Sequence, residues 1–116
     1  MNVLIIAPME PPRRAVISDS LESMQAIVGG LIQAIYPFEE SVALICNEEG
    51  KLMGLPLNRT LRLENGQIYD VVAGTFFLCG APLDSDQFES LTDEQLIRYA
   101  QRFRLPEFFA KEAAEL

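Results

Sequence analysis

The sequence predicts a small α+β domain, a mainly antiparallel sheet with one or two helices packed on one face. Three observations carry that prediction. Apolar runs of strand length recur, above all Val42–Cys46 and Val71–Cys79. Proline and glycine punctuate the chain between such runs. A single strong helix start, Thr92-Asp93-Glu94-Gln95, stands late in the chain.

The elements follow in order. Asn2–Ala7 is a short apolar strand, and Pro8, Pro11 and Pro12 force a turn after it. Arg14–Ile17 returns, completing a hairpin. Asp19 or Ser20 caps a helix with Glu22 in its first turn, where the helix dipole favours a carboxylate. Gly29-Gly30 would cost about 1 kcal/mol each inside a helix relative to alanine, but glycine just past the last turn is favourable. The helix therefore ends near Val28, and Leu31–Tyr36 is a strand stopped by Pro37. The alternative is one long helix over Ser20–Ile35.

Val42–Cys46 is the next strand, Glu48–Lys51 a hairpin turn, and Leu52-Met53 a brief return. Gly54–Thr60 reads as a loop or a single helical turn. Leu61–Leu63 and Ile68–Val72 flank Asn65-Gly66, a tight-hairpin pair. Gly74 marks a bulge or bend before the last strand, Thr75–Cys79. Gly80–Ser90 is an acidic linker. Thr92 caps the second helix while Gln95 reaches back and Leu91 staples onto Leu96. This helix runs to Leu105, before Pro106. Residues 1–104 form one domain, and 105–116 a weakly helical tail.

Composition removes several function classes. The net charge of −8 over 116 residues opposes direct nucleic-acid binding, which needs clustered lysine and arginine, and docking on anionic lipid. No stretch approaches the roughly 20 apolar residues of a membrane span, and the N-terminus lacks a signal-peptide pattern. A cytoplasmic protein is expected. The two cysteines, Cys46 and Cys79, then stay reduced and structural, although a disulfide is geometrically open to them if their strands pair. With no histidine, triad chemistry of the Ser-His-Asp or Cys-His kind is impossible within the chain. The cysteines stand 33 positions apart, so no standard zinc pattern exists, and no phosphate-cradling glycine loop appears. No cofactor and no metal site is expected.

The polar set that could carry a ligand is Lys51, Asn58, Arg59, Tyr69, Asp70 and Thr75. An Arg59–Asp70 pair would pin the Gly54-Leu55-Pro56 loop to the sheet. The same residues could instead clamp an anion, with the arginine fork as donor and Tyr69 as a stacking face. Glu48-Glu49 is read as a solvated turn, open to a basic partner. Phe108-Phe109, with Leu105 and Leu116, is an apolar cluster that docks on the domain's own core or anchors a second protein. A carboxylate hydrolase around Asp70, Glu48 and Glu49 and a phosphate mimic built on the acids of residues 84–116 are weaker readings.

Three segments together resemble a small phage and bacterial mobile-element domain family of unknown function. They are Cys46-Asn47-Glu48-Glu49-Gly50-Lys51-Leu52, Gly54-Leu55-Pro56-Leu57-Asn58-Arg59, and Tyr69-Asp70-Val71-Val72-Ala73-Gly74-Thr75-Phe76-Phe77-Leu78. Leu21–Gly30 and Leu91–Gln95 fit the same pattern, so the resemblance covers most of residues 1–104. It carries over no catalytic residue. It implies an accessory protein of a phage or mobile element. The expected function is then non-enzymatic binding of a host or defence protein, through Glu48, Glu49, Phe108 and Phe109. A small-molecule or nucleotide-like ligand is the alternative, and a homodimer is left open.

Overall fold

A computed structural model describes residues 1–110. In chain order the elements are β1 (Asn2–Ile6), β2 (Arg13–Val16), α1 (Leu21–Val28), β3 (Ile32–Ile35), β4 (Val42–Asn47), β5 (Leu57–Arg62), β6 (Ile68–Ala73), β7 (Phe76–Gly80) and α2 (Asp93–Arg102). Five strands form one sheet in the order β2-β1-β7-β4-β3, with every neighbouring pair antiparallel. β5 and β6 form a separate antiparallel ribbon.

The apolar runs explain the layering. β4 is buried at every position and β7 likewise. A strand that is apolar on consecutive residues must be covered on both sides, because its side chains alternate between faces. On one face Val3, Ile5, Ala43, Ile45, Phe77 and Cys79 pack with Met24 and Val28 of α1. On the other, Leu4, Ile6, Val42, Leu44, Phe76 and Leu78 pack with Leu96 and Tyr99 of α2, with Phe103, and with Leu61 and Val72 of the ribbon. The antiparallel α+β class holds. The two helices, however, take opposite faces of the sheet instead of sharing one.

Local signals fix both helices. Ser20 accepts a hydrogen bond from the Ser23 N–H at 3.2 Å, and Gly29 closes α1 at φ 80° with its N–H on the Gln25 carbonyl at 2.8 Å. The single-long-helix alternative therefore falls, and Ile32–Ile35 is a strand. At α2, Gln95 N–H donates to Thr92 Oγ1 at 3.1 Å while Thr92 N–H donates to Gln95 Oε1 at 2.9 Å. Leu91 and Leu96 share one cluster, as the staple requires.

Four expectations change. β5 begins at Leu57, inside the segment read as a loop. Helix α2 ends at Arg102, with Phe103 as its cap, and Glu107–Ala110 carries no helix. Of the tail 105–116 expected to be weakly helical, residues 111–116 lie outside the described residues. The acidic linker is tied to the sheet at both ends: Gly80 and Glu89 exchange backbone bonds of 2.8 and 2.9 Å, and Leu91 N–H donates to Asn2 O at 2.9 Å. Finally, β4 and β7 do pair, but the register sets Cys79 opposite Ala43, and the two cysteines face opposite sides of the sheet. Both are free thiols. Among the described residues no helix is long and apolar enough to cross a membrane.

Burial pushes the Cys79 thiol up to about 12. The thiolate is the reactive form, so Cys79 should resist a thiol reagent at mildly alkaline pH until denaturant opens the sheet. Labelling followed by peptide mapping checks this, and modification of Cys79 in the native protein would contradict it.

Candidate functional site

Polar side chains in the middle of an apolar fold are the place to begin. β5 carries Asn58 and Arg59, and both are fully buried. Regular alternation cannot bury two consecutive residues on one side. A register shift between Leu57 and Arg59, opposite Ala73 and Val72, makes a bulge at Asn58 that turns both inward. The Asn58 amide donates to the carbonyls of Ile6 at 2.8 Å and Gly74 at 2.9 Å. Arg59 donates through Nε to Phe103 O at 3.2 Å, through Nη1 to Asn58 Oδ1 at 2.8 Å, and through Nη2 to Glu10 O at 2.7 Å. No described carboxylate forms an ion pair with it. Burial pulls the guanidinium below its ordinary pKa, and the nearby Glu107 charge opposes that shift. Glu107 itself straddles Thr60, accepting from its N–H at 3.1 Å and its hydroxyl at 2.8 Å.

The six residues expected to form one ligand set are thus spread over four places. Asn58 and Arg59 hold the fold, with no exposed surface to offer a ligand. Asp70 pairs with Lys51 at 2.7 Å, not with Arg59, beside a small pocket of about 160 Å³ that also reaches Cys46. The Lys51 hydrogen bond holds the Asp70 carboxyl below the usual carboxylate range. Thr75 lies at a different concavity with Glu10 and Arg13. Tyr69 lines a larger groove. Of the expected partner residues, Glu48 and Glu49 are exposed on the turn after β4. Phe108 is 81% exposed, while Phe109 is half-buried.

The groove is the most developed concavity, about 870 Å³. Three elements wall it. The β3–β4 connection supplies Tyr36, Phe38, Glu39 and Glu40; the β5–β6 ribbon supplies Arg62, Glu64 and Tyr69; α2 supplies Arg98, Tyr99 and Arg102. Its polar groups are largely set against one another. Arg98 pairs with Glu40 at 2.7 Å, which holds the Glu40 carboxyl below its usual value. Burial, aided by the Glu40 charge, pushes the Tyr99 hydroxyl up to about 12, so it stays a neutral donor. The Arg102 guanidinium lies 5.0 Å from the Phe38 ring centre, a cation–π contact. Glu39 is held above its usual value because it hydrogen-bonds to, and is repelled by, Glu64 across the groove. Tyr36 and Tyr69 are 62% and 46% exposed, so both rings are open to a ligand. Among the described residues no cluster of three or more histidine, cysteine, aspartate or glutamate side chains could hold a metal.

A family profile described as a domain of unknown function, DUF3846, matches residues 1–104. The chain belongs to this family. No curated protein and no solved structure matches it. The DUF3846 span contains the whole groove and Arg59, but it stops short of Glu107, which nonetheless caps Thr60 in the middle of β5.

Sequence reasoning missed most of the groove. In sequence Tyr36 reads only as a strand end and Tyr99 only as core, and no motif marks Arg62, Arg98 or Arg102. The available signal was the spacing of Arg98, Tyr99 and Arg102 on one flank of α2. Nothing local shows that the Tyr36–Glu40 connection lies beside that flank.

Arg59→Ala should cost at least about 3 kcal/mol, since it strands the Phe103, Glu10 and Asn58 acceptors and leaves a cavity. Urea unfolding of the full chain measures it, and a loss below about 1 kcal/mol would show that the caged guanidinium is not structural.

Proposed function

We propose that this DUF3846 protein works by binding, without catalysis, and that the groove between the β3–β4 connection, the ribbon and α2 is its docking surface. The observation that supports the reading is the lining. Two exposed tyrosines and three arginines line one concavity, and tyrosine and arginine are the residue types on which interface energy concentrates. The charges inside the groove are mutually compensated while the whole chain carries −8. A docking partner therefore meets rings and oriented arginines here without a strong local field. Its partner is a host or defence-related protein, and the protein serves in the host cytoplasm as an accessory factor of a phage or mobile element. The exposed Glu48-Glu49 turn and Phe108 are further contact points on the same reading.

A nucleotide-like small molecule is the second reading, favoured by one observation. The groove's volume falls within the range of about 300–1,000 Å³ typical of ligand pockets. Tyr69 and Arg102, not the buried Arg59, would then hold the ring and the anion.

Incubation with host lysate followed by native mass spectrometry separates the two. On the leading reading a protein is retained, and Tyr69→Ala with Arg102→Ala weakens its affinity by about tenfold or more while the circular dichroism stays native. A retained mass of a few hundred daltons, with thermal stabilisation lost in the same variants, would replace it by the small-molecule reading. Unchanged affinity in both variants would reject the groove.

A further inference from the structure

The two edges of the five-stranded sheet are unlike. β2 follows Pro11-Pro12 and carries Arg13 and Arg14. Proline and charge are the devices that discourage a further strand. β3, the other edge, reads Ile32-Gln33-Ala34-Ile35, and the flanking Leu31 and Tyr36 are both exposed. This stretch carries no charge and no proline.

The ladder to β4 identifies which backbone groups of β3 are free. Glu48 N–H donates to Leu31 O at 2.8 Å, and the register sets Ile32 opposite Asn47 and Gln33 opposite Cys46. In an antiparallel ladder, bonded and non-bonded pairs alternate. Leu31, Gln33 and Ile35 therefore bond to β4, and the N–H and C=O groups of Ile32 and Ala34 turn outward. Among the described residues nothing bonds to them. The side chains of Ile32 and Ala34 lie on the α1 face and that of Ile35 on the α2 face.

We propose that two copies of this chain pair β3 against β3 across a two-fold axis, antiparallel and centred on Gln33, joining their sheets into one. The register is self-complementary. Ile32 of one copy meets Ala34 of the other, and their outward N–H and C=O groups exchange hydrogen bonds. Gln33 meets Gln33, where the amides bond to each other, and Leu31 meets Ile35. The exposed Tyr36 ring lies across Gly30, which offers no side chain to obstruct it. Every opposed pair is apolar or amide-to-amide, so no like charges meet. This matters because two copies, each of net charge −8, repel at long range, and the strip adds nothing to that repulsion. An uncharged strip suits an interface between them, and the β3 edge is one. The isologous arrangement also closes on itself, leaving the guarded β2 strands as the outer edges.

Sedimentation equilibrium of the full chain tests this, with Ala34→Pro as the informative variant. Proline at 34 removes only the outward N–H, which the β3–β4 ladder does not use. The expected result is a wild-type mass twice the 13.0 kDa of the chain, rising in population with salt as repulsion is screened. Ala34→Pro should give the single-chain mass with a native circular dichroism spectrum. Gln33→Lys, at an exposed position, should do the same by opposing two ammonium groups, and it decides the matter if the proline variant does not fold. A wild-type chain that stays at single mass up to millimolar concentration would overturn the proposal. So would a folded Ala34→Pro or Gln33→Lys variant that remains dimeric.

Discussion

A buried arginine that forms no ion pair with any described carboxylate holds this molecule together. Arg59 reaches from β5 to the carbonyl that ends α2, to the carbonyl of Glu10 after β1, and to its own neighbour Asn58. Each contact replaces water for a charge that would otherwise be expensive to bury. The guanidinium suits this task because its donors diverge in a fixed plane; a lysine ammonium could not span the same three acceptors. The turn that carries Glu10 shows the tension involved. Pro8 and Met9 occupy its corner, and Met9 sits at φ 67°, a conformation that favours glycine. The Arg59 bond to Glu10 helps hold that turn in place.

The consequence is positional. An isolated two-stranded ribbon is marginal in water, and β5–β6 shares no ladder with the main sheet. It is seated instead by Leu61 and Val72 in the α2-face core, by Asn58 on the carbonyls of Ile6 and Gly74, and by Arg59. The seated ribbon forms one wall of the groove, and α2, whose last turn Arg59 also fixes, forms another. The caged arginine thus ties together two of the groove's walls. That relation also explains why Glu107 matters beyond the family's span: by straddling Thr60 it fastens the chain after α2 to the same strand.

Sequence carried the elements whose signals are local. The Thr92–Gln95 capping box, the Gly29 stop and the apolar runs of β1, β4 and β7 are each decided by a few neighbouring residues. The antiparallel class followed from them. What stayed hidden depends on distant partners. β5 reads as a loop because Asn58-Arg59 breaks the apolar pattern, and only the acceptors at Ile6, Gly74, Phe103 and Glu10 make those residues internal. For the same reason Arg59 looks like an anion clamp in sequence and Asp70 like its counter-ion, whereas the fold gives Asp70 to Lys51. The division of the helices between two faces was legible in principle, since β4 and β7 are apolar at consecutive positions and so need cover on both sides. The groove was not, because it joins three segments that only the tertiary fold brings together.

The most direct test is the exchange of the Arg59 Nε–H with solvent, followed by nitrogen-edited NMR at low temperature. A caged guanidinium donating to the Phe103 carbonyl should show a resolved Nε–H signal that persists far longer than those of the exposed Arg13 and Arg14. Exchange of the Arg59 proton as fast as theirs would contradict the account, because the ribbon, the end of α2 and the groove between them would then lack their common anchor.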